Sequence, residues 1–127
     1  MQENKLFEYA VIRIVPRVER EEFINIGVIV FCAEEKFLSC AYNIDRTKLS
    51  AFSNKIIIED IIAYMLAFEN ICNGNTACGP IGKLPIKERF RWLTANRSTI
   101  IQTSKMHPGL CTNAQEKLAY LFEKLVL

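Results

Sequence analysis

The first half of the chain alternates between short apolar runs and short polar links. β-Branched and aromatic residues are concentrated in three runs, and the links between them are charged or polar. This alternation is typical of antiparallel strands joined by short connections. The middle run is apolar at nearly every position, which favours a central strand of the sheet. The sequence therefore predicts a three-stranded meander, at Leu6–Val15, Ile24–Cys32 and Phe37–Tyr42.

Helical spacing takes over after the third run. Asp45 is a suitable N-cap for a short helix that ends at Phe52. Apolar residues then recur three and four positions apart within Ile61–Cys72, which predicts a longer helix. Its apolar surface is wide, so other elements should pack against it as well as the sheet. The C-terminal segment has the clearest pattern, because Asn113 and Glu116 match a capping box ahead of an amphipathic helix.

The segment between these two helices is less regular. Glycines and prolines make 73–85 a loop, and Pro85 suits the first turn of a helix that runs to about Thr94. Arg97–Thr103 has the composition of a fourth strand, whereas Lys105–Cys111 is expected to be irregular.

Together these elements predict a single α+β domain over residues 1–127. We expect a mostly antiparallel sheet of about four strands, with two main helices, Ile61–Cys72 and Ala114–Leu127, packed on it. Half of the residues are apolar, so a chain of this length can bury a core without a metal ion or a disulfide.

The cysteines and the single histidine limit the chemistry. The five cysteines are odd in number, several lie in apolar runs, and no secretory segment precedes them, so we expect reduced thiols and a cytoplasmic protein. The apolar runs are too short to cross a membrane. One histidine and no zinc-type cysteine spacing make a metal site unexpected, and no cofactor motif is present.

Charge is concentrated in one part of the chain. Lys83–Cys111 contains six basic residues and one acid, a formal charge of +5, whereas the rest has ten basic and thirteen acidic residues. The net charge of +2 is therefore the sum of a strongly basic segment and a slightly acidic remainder. Such a segment favours an anionic small ligand, nucleic acid or the acidic surface of a partner protein.

Five segments follow one another in a distinctive order: Tyr9–Pro16, Glu22–Ile29, Arg89–Ser98, Ile101–Ser104 and His107–Cys111. In this order they resemble a bacterial domain-of-unknown-function family, number 3037. The resemblance covers nearly the whole chain and departs at Asn96, where the family pattern leads us to expect proline. The family has no established activity. The resemblance implies an accessory role, with a HipA-like protein kinase as a possible partner.

The first candidate ligand site combines Arg13, Asn25 and Gly27. Antiparallel pairing of the first two strands brings these residues together, and an arginine beside an amide can hold a carboxylate or phosphate. Glycine within a strand also permits close approach by a ligand. The alternative is a β-bulge at Gly27, with Asn25 bonded to loop carbonyls.

The second candidate combines Arg89, Trp92 and Arg97. Arg89 and Trp92 are three positions apart and share one face of a helix, where a guanidinium can stack on the indole. The alternative places Trp92 in the core and ties both arginines to carbonyls or acids.

The third candidate is a polar row of Ser98, Gln102 and Ser104 that ends near His107. Residues two apart on a strand point to the same side, and a histidine near serine can act as a general base. However, no carboxylate lies between Glu88 and Glu116 to orient the imidazole. The alternative for His107 is a turn residue. Cys111 immediately precedes a helix start, which can lower the pKa of a thiol and make it reactive. The alternative for Cys111 is a small buried residue beneath the last helix.

These candidates predict a binding or accessory protein with a basic cleft, floored by Arg13, Asn25 and Gly27 and bordered by the helix–strand unit 85–104. It would recognise an anionic ligand, nucleic acid or a partner protein. The alternative is an enzyme acting on a phosphate- or nucleotide-containing substrate, with His107 as acid or base and the arginines stabilising charge.

Overall fold

The three apolar runs form the predicted meander in the computed structural model, which describes residues 4–75, 79–95 and 99–127. The strands are β1 (Lys5–Ile14), β2 (Ile24–Cys32) and β3 (Phe37–Tyr42), and each is antiparallel to the next. β2 lies between the other two, and its last seven residues are all buried. The expectation that this strand is central is therefore confirmed.

The edge of the sheet beside β1 is formed by two short strands placed end to end. β4 (Ile101–Thr103) pairs with the C-terminal part of β1, and β5 (His107–Cys111) pairs with its N-terminal part, both antiparallel. Over the described residues the sheet thus has five strands, in the order β3–β2–β1–β4, with β5 also paired to β1.

The prediction that Lys105–Cys111 is irregular is wrong for His107–Cys111, which forms β5. Pro108 and Gly109 look like strand breakers, but on an edge strand proline leaves no ladder bond unmade. Gly109 is also needed, because a Cβ there would lie 2.7 Å from the Phe7 ring. The predicted strand Arg97–Thr103 is shorter in the structure, and its first two residues lie outside the described ranges.

The helices follow the predicted caps and periodicity. They are α1 (Arg46–Phe52), α2 (Ile58–Cys72), α3 (Ile86–Leu93) and α4 (Ala114–Leu125). Asp45 Oδ1 accepts a hydrogen bond from the Lys48 N–H at 3.0 Å. Asn113 Oδ1 accepts one from the Glu116 N–H at 2.9 Å, which confirms the N-cap of the last helix.

The helices cover the two sides of the sheet unequally. Residues of α1, α2 and α3 share one core with Ile12, Ile14 and Phe31, and we call this side the three-helix face. α4 shares the other core with Val28 and Val30, and we call that side the α4 face. The fold is therefore α+β, as predicted. Within the described ranges, no helix is both long and apolar enough to pass through a bilayer.

Candidate functional site

Arg13 occupies the middle of a polar row on the α4 face. It pairs with Asn25 on β2 and with Gln102 on β4, and paired residues of antiparallel strands point to the same side. Its neighbours Ile12 and Ile14 enter the core of the three-helix face, so strand alternation places Arg13 opposite. The predicted contact of Arg13 with Asn25 is thus formed.

The side chains of this row are held largely by the protein itself. Asn25 Nδ2 donates to the Leu125 carbonyl of α4 at 3.2 Å, and Gln102 Nε2 donates to the Thr99 carbonyl at 2.8 Å. The Arg13 guanidinium lies 4.0 Å from the centre of the Phe23 ring, a favourable cation–π arrangement. Arg13 Nε and Asn25 Oδ1 are buried and have no hydrogen-bond partner among the described residues. One donor and one acceptor, on residues paired across β1 and β2, therefore have no partner among the described residues.

Gly27 is explained by packing. The register of β1 and β2 shifts between Ile12 and Arg13, which leaves Ile26 as the extra residue of a β-bulge. A Cβ at Gly27 would lie 2.7 Å from the Ala41 carbonyl oxygen and 2.9 Å from Tyr42 Cβ. The structure therefore has both features of the alternative interpretation of this site, a β-bulge beside Gly27 and an Asn25 side chain bonded to a carbonyl.

Ser104 lies between β4 and β5, and its side chain is hydrogen bonded to the backbone. Its Oγ accepts a hydrogen bond from the Val11 N–H at 2.9 Å and donates to the Lys105 carbonyl at 3.0 Å. The single donor of the hydroxyl and one of its two acceptor lone pairs are used by the chain itself. The predicted polar row therefore does not continue through Ser104 as a free surface, and Ser98 lies outside the described residues.

His107 is an exposed strand residue. It pairs with Tyr9, and the two ring centroids are 5.2 Å apart with an interplanar angle of 35°. Tyr9 and Arg13 are four positions apart on β1, so His107 is roughly 13 Å along the sheet from the Arg13 row. His107 is therefore a strand residue rather than the turn residue of the alternative interpretation, and His107 and Arg13 do not converge on one small ligand.

Arg89 is held on the other side of the sheet. It lies on α3, whose Phe90 ring stacks on Phe31 in the core of the three-helix face at 5.1 Å. Its Nη1 donates to the Leu84 carbonyl at 2.7 Å, and a Cβ at Gly74 would be 3.3 Å from its Cζ. The sequence-based expectation that α3 and Arg13 border one cleft is therefore wrong for Arg89, because the sheet separates them.

The outer side of α3 presents the remaining charge. Lys87 and Arg91 are one helical turn apart and both exposed, and Trp92 is 40% exposed rather than in the core. The ion pairs among the described residues are Lys5–Glu35, Arg20–Glu22 and Arg46–Glu59. Neither Lys87 nor Arg91 takes part in one. Arg97, the third member predicted here, lies outside the described ranges.

Cys111 lacks the character of a catalytic nucleophile. Cys111 is buried beneath α4, and burial raises the pKa of its thiol, which confirms the expectation of a small core residue. The four cysteines within the described ranges are free. In that part of the chain, no three His, Cys, Asp or Glu side chains are grouped so as to hold a metal ion.

A family model for a protein of unknown function, DUF3037, matches residues 9–126 of this sequence. The chain belongs to the DUF3037 family. No curated protein and no solved structure matches it.

Membership places nearly every element described above inside one DUF3037 domain, from the second half of β1 to the end of α4. Two features of this DUF3037 chain were missed in the sequence. Lys87 stands one turn before Arg91, a spacing that could have been recognised once α3 was predicted. The contact between Phe23 and Arg13 had no local signal, because Phe23 lies just before β2 in a charged connection.

Proposed function

We propose that this protein is a binding protein that docks an acidic surface of a partner protein through the outer side of α3. The observation that carries the proposal is the pair of exposed cations, Lys87 and Arg91, one turn apart on the same helix as the 40% exposed Trp92. Arginine and tryptophan are enriched among residues that dominate binding energy at protein interfaces. Lys83, in the 3-10 turn before the helix, adds a further exposed cation.

The size of this surface favours a protein over a nucleic acid. α3 has eight residues and is about 12 Å long, which is short for tracking a phosphate backbone. The chain outside Lys83–Cys111 carries thirteen acids against ten basic residues, and such a body repels an extended polyanion. A compact acidic patch on a protein meets the cations without this penalty.

The placement of His107 gives the enzyme alternative less support. That alternative requires His107 and at least two arginines around one anion. Here His107 and Arg13 are separated along β1, and Arg89 is on the opposite side of the sheet. The exposed His107 ring is tilted against Tyr9, and no hydrogen bond to another described residue orients it for general-base chemistry.

The test is a binding measurement with a charge-reversed variant. The HipA-like kinase suggested by the family resemblance is the first partner to test, by calorimetry at low and high salt. Lys87→Glu with Arg91→Glu should weaken binding about tenfold, since two exposed ion pairs of roughly 0.5–1 kcal/mol each amount to about 1.4 kcal/mol. The loss should shrink as salt rises.

The matched control is Lys48→Glu with Lys55→Glu, which makes the same charge change at exposed positions away from α3. Equal loss in both variants would mean a general charge effect and would reject the docking surface. A labelled single-stranded oligonucleotide, followed by fluorescence anisotropy, is measured in parallel. Binding of the oligonucleotide but not the kinase, with loss only in the α3 variant, would replace the proposal with a nucleic-acid function.

A further inference from the structure

Arg13 is a partly buried cation that no described residue neutralises. It takes part in no ion pair or hydrogen bond among the described residues, and its Nε is buried. The two residues it pairs with, Asn25 and Gln102, carry no charge. A cation withdrawn from water is costly unless an anion or several acceptors compensate it. The contact with the Phe23 ring uses none of the guanidinium N–H groups, so these donors remain available.

Asn25 has an unused acceptor on the strand paired with that cation. Its Nδ2 donates to the Leu125 carbonyl at 3.2 Å. A carbonyl oxygen only accepts, so this bond fixes which end of the amide faces α4 and leaves Oδ1 as the free atom. Oδ1 is buried and has no partner among the described residues. Because Asn25 and Arg13 are directly paired across β1 and β2, the free donors and the free acceptor lie on the same side of the sheet.

We propose that Arg13 and Asn25 bind a small α-hydroxycarboxylate on the α4 face. The ligand carboxylate accepts hydrogen bonds from the Arg13 guanidinium, and the ligand hydroxyl donates to Asn25 Oδ1. Because Arg13 Nε and Asn25 Oδ1 are buried, the ligand enters as the Phe23 side chain, which is 46% exposed, moves aside. The docking surface on α3 is not involved, so either proposal can fail without the other.

The charges of this site select the class of ligand. A single guanidinium, paired only with uncharged residues, matches a monoanion better than a phosphate dianion. A planar carboxylate also fits the guanidinium fork through two parallel hydrogen bonds. The donor that reaches Asn25 has to be close to the carboxylate. A neutral hydroxyl serves better there than an ammonium group, which the Arg13 charge repels.

The test is a titration of the full chain with glycolate, followed by heteronuclear NMR of the arginine Nε–H signals. The Arg13 signal is the one missing from the Arg13→Met variant. Acetate is the matched ligand, because it has the same carboxylate and lacks only the hydroxyl. We expect the Arg13 signal to shift saturably, with glycolate bound about fivefold more tightly than acetate, the difference that one hydrogen bond makes. Glycine and inorganic phosphate should bind more weakly than glycolate.

Variants separate a binding role from a structural one. Arg13→Met should abolish saturable glycolate binding in calorimetry and leave stability in urea close to that of the wild type, because it also removes an uncompensated charge. A purely structural Arg13 would instead show a clear loss of stability. Arg46→Met makes the same change at an exposed arginine of α1 and should leave glycolate binding unchanged. Asn25→Ala should lower the affinity for glycolate to that for acetate.

Circular dichroism verifies that each variant folds. If Asn25→Ala does not fold, the preference of the wild type for glycolate over acetate decides the same point. Glycolate binding that survives Arg13→Met, or an Arg13 signal that glycolate leaves unmoved, would overturn the proposal. Equal affinity for glycolate and acetate would remove Asn25 from the site. Tighter binding of phosphate or glycine would reject the class of ligand.

Discussion

The carboxylate of Glu35 accepts a hydrogen bond from the backbone N–H of Ala114, at 2.8 Å, in the first turn of α4. The other carboxylate oxygen is 2.9 Å from the Lys5 ammonium of β1. One side chain in the β2–β3 turn therefore holds the start of α4 against the sheet. A carboxylate at a helix N-terminus is favoured because the unpaired N–H groups there carry partial positive charge.

Stability should consequently depend on the ionisation of Glu35. The backbone N–H of Ala114, followed by the Lys5 ammonium, lowers the pKa of this carboxyl below its ordinary value of 4.5. The stabilising effect is complete above that ordinary value and is lost as the pH falls through the lowered pKa. Glu35→Gln should reduce the melting temperature at neutral pH, and its deficit relative to the wild type should shrink as the pH falls below 4.5.

The neighbouring Glu34→Gln is the control, because Glu34 is exposed and makes no hydrogen bond among the described residues. Thermal unfolding followed by circular dichroism across the pH range gives the comparison. A Glu35→Gln deficit that persists unchanged in acid would show that charge on Glu35 does not carry the effect.

Local patterns in the sequence predicted the elements well. The strand runs, the N-caps Asp45 and Asn113 and the periodicity of α2 and α4 are all encoded within a few residues, so each could be recognised without the rest of the chain. The error at β5 has the opposite origin. Pro108 and Gly109 disfavour a strand locally, and pairing with β1, about a hundred residues earlier, overrides them.

The candidate site was harder to predict for the same reason. The contact of Arg13 with Asn25 followed from antiparallel pairing and is formed. The side of the sheet that α3 covers depends on how Phe90 meets Phe31, and no local pattern encodes this choice. The sequence therefore grouped Arg13 with Arg89, although the sheet lies between them.

The N-cap of α4 should make a measurable contribution to stability. Asn113→Ala removes the acceptor of the Glu116 N–H and should lower the free energy of unfolding by about 1 kcal/mol. Asn113→Gly should cost only a few tenths of that amount, since glycine is tolerated at this position. Gln115→Ala, an exposed change within the same turn, should stay within about 0.5 kcal/mol of the wild type in urea unfolding.

Gly27 should tolerate no side chain, whether or not the protein binds a ligand at this site. A Cβ there meets the Ala41 carbonyl and Tyr42 Cβ, which belong to a neighbouring strand and cannot turn away. Gly27→Ala should therefore lower the free energy of unfolding by roughly 1–3 kcal/mol.

A comparison with Gly109 makes this prediction specific. A Cβ at Gly109 would meet the Phe7 ring, a side chain, so Phe7→Leu should partly rescue Gly109→Ala in a double-mutant cycle. A Gly27→Ala variant as stable as the wild type in urea would remove the packing explanation and restore a ligand-based one.

The two arginines of α3 should have different roles, a structural one for Arg89 and a binding one for Arg91. Arg89 donates to the Leu84 carbonyl and packs on Gly74, whereas Arg91 is exposed on the outer side. Arg89→Met should lower the free energy of unfolding by about 1–3 kcal/mol, because it leaves a partly buried carbonyl without its donor. Arg91→Met should change stability by less than about 0.5 kcal/mol and weaken partner binding instead. Urea unfolding and calorimetric titration of both variants give the two readouts. Equal stabilities would mean that the bond to Leu84 is energetically neutral, and Arg89 would then belong with Arg91 as an available cation.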